Sequence, residues 1–426
     1  MRALKRFTIT TIPFVFALAL SQQVVAAQPE NLEKLKQFKV SGTDLNIPPV
    51  PQTGKNADAI RENLKRVKLP PGFKIELFAV VPDARHMAVA PSTNMLFVGT
   101  RKTTVWAVTD RNSDGVADEV KPFAPSLHFK VPNGVCWTPN GFLLVVEHNR
   151  VLNFPAAEFF YEGPDVAVIE VVGEGKLIPP EEESFNHGAR ACRIGPDGML
   201  YITVGQPFNV PPREKLKLYS ELGIGGIIRM NAFDGSKREV YARGVRNSVG
   251  LDFNPKDKTL WFTDNQTDGM GDDIPPGELN RATKQGQHFG YPWLGGHKVR
   301  ITEYGYDKDP LPKDAVPPQV EMVAHAADLG MTFYNGKMFP AKYQGGIFDA
   351  QHGSWNRTKP IGARIMYTSL KSDGTADKTE VFAEGWLDDT TGTYRGRPVD
   401  VAVMKDGSLL VSDDFAGAIY RITYSQ

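Results

Sequence analysis

Hydrophobic and polar residues alternate over short runs from Pro70 to the C-terminus, and Gly, Pro, Asn and Asp residues separate these runs. One unit recurs six times: a turn, followed by an alternating run that is typical of a β-strand. Each copy predicts two strands joined by a tight turn. The copies are APSTNMLFVGT ending at Thr100, TPNGFLLVVEH at His148, GPDGMLYITVG at Gly205, NPKDKTLWFTDN at Asn265, the degenerate FPAKYQGGIFDAQHG at Gly353 and MKDGSLLVSDD at Asp414.

This repetition predicts an all-β fold, a six-bladed β-propeller that spans residues 69–426. Successive copies lie about 50 residues or more apart, and a typical propeller blade has roughly 40–50 residues. Each blade is a small sheet, so a long chain can fold this way without one large core. The alternatives are two β-sandwiches, which would need a linker near the middle, and a β-helix, which would need a much shorter repeat; the sequence shows neither feature. Residues 28–68 form a short N-terminal extension, in which residues 57–67 favour one amphipathic helix.

The first 27 residues have the three-part layout of a secretory signal peptide. Arg2, Lys5 and Arg6 are basic, an apolar run over residues 7–20 follows, and small residues precede a cleavage point after Ala27. A retained membrane anchor is the alternative, but the run is short of the roughly 20 residues that span a bilayer. We expect cleavage, a mature chain without a transmembrane segment, and a periplasmic or secreted protein.

Charge and cysteine content exclude several functional classes. Lysine plus arginine and aspartate plus glutamate both number 49, so the formal net charge is zero and we expect no nucleic-acid partner. The two cysteines are Cys136 and Cys192. An oxidising compartment would permit a disulfide between them, and two buried free thiols are an equally good interpretation. The chain has no C-x-x-C-H motif, which argues against covalently attached haem.

Polar residues beside the repeats are the candidates for chemistry, because strand ends and loops surround the central channel of a propeller. Asn186 and His187 precede the third repeat, and histidine can accept a proton near neutral pH. Arg246 and Asn247 lead into the fourth repeat, and a planar guanidinium suits a carbonyl or carboxylate. An exposed turn histidine and a surface arginine are the alternatives.

Two acidic segments are candidate cation sites. The loop DNQTDGMGDDIPPGELN includes Asp264, Asn265 and Glu278, and oxygen ligands at this density suit Ca²⁺. A solvated acidic loop is the alternative. Residues 110–119 follow the start of an EF-hand loop, but Lys121 stands where the bidentate glutamate belongs, so a plain hairpin loop is the favoured interpretation.

Arg395 and Arg397 lead into the last repeat. In an extended segment, residues two apart point the same way, so both side chains could enter the channel and bind a polyanion. The alternative is that these arginines are structural and pair with Asp388 and Asp389.

These segments together resemble the soluble pyrroloquinoline quinone (PQQ)-dependent sugar dehydrogenases, the glucose/sorbosone dehydrogenase family of six-bladed propellers. The resemblance covers about residue 69 to the C-terminus and rests on NHGARACRIGPDGMLYITVG, GVRNSVGLDFNP, PPGELNRATKQGQHFGYPW and GRPVDVAVMKDGSLLVSDD. The segment QHGSWNR is similar to the sorbosone-type branch. The resemblance implies Ca²⁺-dependent oxidation of an aldose, sorbosone or related sugar by hydride transfer to PQQ. It also implies an electron acceptor such as a cytochrome or a quinone.

The resemblance implies a role for each candidate. His187 matches the general base, Arg246 the residue that polarises the quinone carbonyl, and Asn247 its neighbour in the cofactor pocket. Arg395 and Arg397 match the pair that holds the PQQ carboxylates.

The metal ligands follow from the same resemblance. Residues 264–266 match the backbone turn that binds the cofactor's Ca²⁺, so Asp264 and Asn265 are expected there. Glu278 matches an acidic ligand of a structural Ca²⁺. The family's Gly-Asp is Gly205-Gln206 here, so Gln206 takes a cofactor-site position.

Two other departures affect the expected substrate and cofactor contacts. The family's glutamine after Arg-Asn is Val249, and Arg357 or Lys359 would replace a PQQ-contacting lysine.

Two rival functions are a calcium-dependent lactonase, also a six-bladed propeller, and a propeller that only binds a glycan or protein. Fold alone does not separate these three.

Overall fold

Each repeat includes the second strand of its own β-sheet. The computed structural model describes residues 47–163 and 165–425. Within them, six sheets follow one another along the chain, and the first strand of each sheet contacts the first strands of both neighbouring sheets. These contacts close a ring, so the predicted six-bladed β-propeller is confirmed.

The strands are assigned to blades in chain order. β1 (Phe73–Val80) precedes blade 1, which contains β2 (Met87–Val89), β3 (Met95–Val98), β4 (Val105–Thr109) and β5 (Glu119–Phe123). Blade 2 contains β6 (Gly134–Trp137), β7 (Leu143–Val146), β8 (Val151–Phe154) and β9 (Ile169–Val172). Blade 3 contains β10 (Cys192–Ile194), β11 (Met199–Val204), β12 (Gly226–Asn231) and β13 (Glu239–Arg243).

The second half of the chain adds three blades and some short pairs. Blade 4 begins with β14 (Leu251–Phe253), β15 (Leu260–Asp264) and β16 (Gly277–Ala282). Next, β17 (Gln287–His288) pairs in parallel with β13, β18 (Leu294–Gly295) pairs with β19 (Val299–Arg300), and β20 (Val320–Met322) completes blade 4. Blade 5 contains β21 (Asp328–Phe333), β22 (Ile347–Gln351), β23 (Arg364–Leu370) and β24 (Ala376–Glu384). After the pair β25 (Leu387–Asp388) and β26 (Thr393–Tyr394), blade 6 contains β27 (Pro398–Val403), β28 (Leu409–Asp413) and β29 (Ala418–Tyr424).

The ring is closed by strands from the two ends of the propeller. β1 pairs antiparallel with β29, from Phe73 opposite Tyr424 to Val80 opposite Ala418, and becomes the fourth strand of blade 6. Because this last blade is built from distant parts of the chain, unfolding either end exposes an edge of the same sheet.

The hydrophobic core is divided among the interfaces between blades. Between blades 2 and 3, for example, Leu144 and Val146 pack with Leu200 and Ile202, all fully buried. Comparable clusters lie between each of the other neighbouring blades. Both faces of a blade therefore carry apolar residues that pack against the neighbouring blades.

The described part of the N-terminal extension packs on the propeller. Helix α1 (Lys55–Leu64) replaces the predicted helix over residues 57–67 and buries Ala57 and Ile60 against blades 5 and 6. A second helix, α2 (Leu216–Leu222), lies between β11 and β12. No helix of the described residues is long and apolar enough to cross a membrane. The predicted signal peptide, residues 1–27, lies outside the described residues.

The two cysteines form a disulfide. Cys136 in β6 and Cys192 in β10 are bonded, with Cα atoms 6.0 Å apart and a sequence separation of 56 residues. Both are buried in the cluster between blades 2 and 3. The covalent link therefore joins the first strands of two neighbouring blades.

Candidate active site

The candidate site is a cavity at the end of the propeller where the first strands of the blades begin and their second strands end. These termini share one end of each antiparallel hairpin, so segments far apart in sequence meet around the channel. An inner cavity of about 210 Å³ continues into an outer one of about 640 Å³. The outer cavity falls within the range of roughly 300–1,000 Å³ that is typical of small-molecule sites, and the inner one is smaller. The inner cavity is lined by Arg85, Arg101, His187, Arg246, Asn247, Asn265, Gln266, Asp268, Asp328, His352, Trp355 and Asn356, among others.

His187 is held as a neutral, oriented imidazole. Its Nδ1 lies 2.6 Å from the carbonyl oxygen of Gln206. A carbonyl only accepts, so Nδ1 carries the hydrogen and Nε2 is the ring's free proton acceptor. Burial, followed by the positive charge of Arg246, lowers the pKa of His187 to about 3. The imidazole is therefore uncharged at neutral pH and can accept a proton at Nε2, as a general base must.

The backbone around His187 is tightly constrained. His187 has a positive φ of 56°, and Arg190 donates from Nη1 to the His187 carbonyl at 3.1 Å. A Cβ at Gly205 would lie 2.5 Å from Oδ1 of Asn247 and 2.8 Å from Cβ of His187. Only glycine permits this close approach, which brings His187 beside Asn247.

Arg246 is almost fully committed to neighbouring groups. Its Nε donates to the Asn209 carbonyl at 2.9 Å, and its Nη2 contacts Asp268 at 2.9 Å and Oδ1 of Asn209 at 2.8 Å. Its Nη1 donates to the carbonyl of Asn265 at 3.1 Å, which leaves one Nη1 hydrogen without a partner. The side chain is 3% exposed. Arg246 can therefore offer one N–H and its charge to an oxygen in the cavity.

Asp264 positions this pair of residues from behind the cavity. Its carboxylate accepts from the backbone N–H groups of Arg246 at 2.9 Å and Asn247 at 2.7 Å, and from Gln266 Nε2 at 3.1 Å. Burial raises the pKa of Asp264 to about 7. The role shown by these contacts is to fix the Arg246-Asn247 backbone.

Glu278 lies in the neighbouring strand β16, and its side-chain oxygens also accept hydrogen bonds from other protein groups. It accepts from Gln266 at 2.9 Å, from the Gly296 N–H at 2.7 Å and from Asn280 at 2.8 Å. Burial and then the nearby Asp264 raise the pKa of Glu278 to about 8. Of the three predicted metal ligands, Asn265 lines the cavity, whereas Asp264 and Glu278 lie behind it.

The cavity wall nevertheless offers oxygen atoms that suit a hard cation. Oδ1 of Asn247 and Oδ2 of Asp328 are buried and have no hydrogen-bond partner. The Asn265 carbonyl faces the same region, as its bond to Arg246 shows. Ca²⁺ takes carboxylate, amide and backbone carbonyl oxygens of this kind. Among the described residues, no group of three or more His, Cys, Asp or Glu side chains could hold a metal, so a site here would combine the Asp328 carboxylate with amide and carbonyl oxygens.

Arg395 and Arg397 are placed differently from the expectation that both enter the channel. Arg395 pairs with Asp388 at 2.9 Å and lines a separate cavity, as the structural alternative held. Arg397 donates from Nε to the His352 carbonyl at 3.1 Å and stacks over Tyr394. The chain bends at Arg395 before β27 begins, so the rule for extended segments does not apply.

Two other residues predicted to contact the cofactor, Gln206 and Arg357, do not line the inner cavity. Gln206 is buried, and its contribution to the cavity is the carbonyl that orients His187. Arg357 donates to the carbonyls of Asp272 and Ala324 and does not line the inner cavity. The loop over residues 110–119 is closed by its own hydrogen bonds, such as Gly115 N–H to Asp110 at 3.0 Å.

Several cavity residues were not found from the sequence. Arg85 and Arg101 flank the first two strands of blade 1, and neither was among the predicted site residues; Trp355 and Asn356 follow the fifth repeat. Arg101 directly follows the first repeat. The rule that selects polar residues beyond a repeat would therefore have found it.

Comparisons with known proteins show the family and the fold. The family model of glucose/sorbosone dehydrogenases matches residues 176–421. The chain is 31% identical over 376 residues to an uncharacterised protein of Borreliella burgdorferi, with 86% of this chain and 93% of that protein covered. It is 24% identical to the aldose sugar dehydrogenase YliI of Escherichia coli, over 57% of this chain and 62% of that one. The holo PQQ domain of pyranose dehydrogenase from Coprinopsis cinerea superposes with a TM-score of 0.65 at 15% identity, covering 84% of this chain and 97% of that one.

Proposed function

Because the chain belongs to the glucose/sorbosone dehydrogenase family, we propose that it is a PQQ- and Ca²⁺-dependent sugar dehydrogenase. Its substrate would be an aldose, sorbosone or a related sugar, and it would act in the periplasm or outside the cell. The observation that carries the proposal is the neutral His187, whose free Nε2 shares one cavity with Arg246, Arg101 and Arg85.

The residues of the cavity fit such a cofactor. Bound PQQ would supply a quinone that accepts the hydride of the sugar, and the arginines would balance the negative charge of its carboxylates. The Asn265 carbonyl, Asn247 Oδ1 and Asp328 Oδ2 would hold Ca²⁺ beside it.

His187 would take the hydroxyl proton of the sugar at Nε2. The Gln206 carbonyl keeps the opposite nitrogen protonated, and the imidazolium that forms keeps that hydrogen bond. The free N–H of Arg246 would stabilise negative charge on an oxygen in the cavity. General base catalysis is typically worth about 10²–10⁴-fold in rate.

Reconstitution tests the proposal. Purified protein is incubated with PQQ and Ca²⁺, and dye reduction is measured with aldoses and sorbosone; omission of PQQ or addition of a chelator should abolish it. Absence of both PQQ binding and dye reduction would refute the proposal, and hydrolysis of sugar lactones instead would favour the lactonase.

His187→Ala should bind PQQ with wild-type affinity and lose about 10²–10⁴-fold in turnover. His128→Ala is the matched control, because His128 is exposed and also has a positive φ, 48° against 56° for His187. Equal turnover in the two variants would remove His187 from the mechanism.

A further inference from the structure

Among the residues that the structure describes, three arginines line the inner cavity, and they differ in how much of their positive charge is already paired with other protein groups. Arg246 is paired with Asp268 and with two carbonyl oxygens. Arg85 contacts Asp414 at 2.5 Å and donates to Asn133 at 2.8 Å. Both guanidinium groups are therefore held largely by the protein itself.

Arg101 stands apart from these two. Among the described residues, no side chain or carbonyl accepts a hydrogen bond from its guanidinium, and no carboxylate lies within 4.0 Å of it. The guanidinium carbon lies over the ring of Phe185, 5.0 Å from the ring centroid. Its backbone, in contrast, is fixed, because the Arg101 N–H donates to Asp83 at 2.8 Å.

The position of Arg101 is costly without a partner. The residue is half-buried, and burial followed by the charge of Arg85 lowers its pKa. Removing an unpaired cation from water is unfavourable unless an anion compensates. The planar fork of a guanidinium fits a carboxylate through two parallel hydrogen bonds.

We propose that Arg101 is a carboxylate-binding residue of this cavity, in the role that sequence resemblance implied for Arg395 and Arg397. The inference rests on the proposed function, because the carboxylate belongs either to PQQ or to an acidic sugar substrate. Arg101 and His187 line the same inner cavity, so a carboxylate bound by Arg101 would share that cavity with the proposed base.

The test compares Arg101→Gln and Arg101→Lys with Lys102→Gln. Lys102 is the next residue, is exposed and does not line the cavity, so its variant loses the same charge outside the site. The dissociation constant of PQQ is measured by tryptophan fluorescence quenching in the presence of Ca²⁺. KM values for glucose and glucuronate are measured by dye reduction at saturating PQQ, and thermal unfolding checks that each variant is folded.

If the cofactor supplies the carboxylate, Arg101→Gln raises the dissociation constant of PQQ about 10- to 100-fold, Arg101→Lys raises it less, and Lys102→Gln leaves it unchanged. If the substrate supplies it, the dissociation constant is unchanged and the KM for glucuronate alone rises at least about 10-fold. Wild-type values for PQQ and both sugars in folded Arg101→Gln would overturn the inference. Absence of PQQ binding by the wild-type protein is a distinct outcome, which would refute the proposed function and this inference together.

Discussion

Replacing Cys136 and Cys192 with alanine should destabilise the propeller by the free energy of one cross-link. The disulfide closes a loop with 56 residues of separation between blades 2 and 3. Restricting a loop of that length in the unfolded chain corresponds to roughly 4 kcal/mol, and removal of a native disulfide commonly costs about 2–5 kcal/mol.

This free energy can be converted into a shift of the unfolding temperature. The described chain has about 380 residues, and unfolding entropy averages roughly 2.1 cal/mol/K per residue. The slope is then about 0.8 kcal/mol/K, so a loss of about 4 kcal/mol lowers Tm by ~5 °C. The large size of the ring makes the shift small even though the free energy is substantial.

The assay is thermal unfolding of the wild-type protein and of both single and double alanine variants, each with and without reductant. One lost cysteine breaks the same bond as two, so Cys136→Ala and Cys192→Ala should each lower Tm nearly as much as the double variant. Reductant should lower the Tm of the wild-type protein alone. Alkylation of two free thiols in the unreduced, denatured wild-type protein would refute the disulfide, as would a Tm that reductant does not change.

Two further predictions follow from close contacts and from pKa shifts. Gly205→Ala should lower turnover by about 10²-fold, because its Cβ would lie 2.5 Å from Oδ1 of Asn247 and displace His187. The control is Gly163→Ala, whose Cβ would have its nearest neighbour at 3.6 Å. Equal turnover in the two variants would contradict this prediction. Burial raises the pKa of Asp400 from 3.8 to about 7, so the folded protein binds this proton more tightly than the unfolded chain does. The free energy of unfolding should therefore fall as pH rises from about 4 to 7, by up to ~4 kcal/mol from this group. Urea unfolding of Asp400→Asn should show a weaker dependence over that range, and parallel curves would contradict the assignment.

The fold was predictable because its evidence is local and repeated. A turn followed by an alternating run describes a hairpin within about ten residues, and six copies leave few architectures that can bury them. The sequence also places His187, Arg246 and Asn247 beside repeats, and these residues do meet in one cavity.

The hydrogen-bond partners of each candidate residue were less predictable than its position beside a repeat. Asp264 and Glu278 are the acidic residue types expected of calcium ligands, but their oxygens accept hydrogen bonds from Asn247, Asn280 and other neighbours. Gln206 contributes a backbone carbonyl, which residue type does not reveal. Such assignments depend on which donors approach from other segments.

The propeller, its six repeats and the histidine and arginine beside them could be predicted from the amino-acid sequence, because those features depend on neighbours along the chain. The contacts of the folded chain were needed to show that Cys136 and Cys192 form a disulfide and that Arg395 pairs with Asp388. They also showed that Arg101 lines the cavity and pairs with no carboxylate of the described residues. Ring closure brings together residues that are hundreds of positions apart, such as Arg85 and Asp414. A charge becomes available for a ligand when none of those distant residues neutralises it, and local sequence carries no record of that.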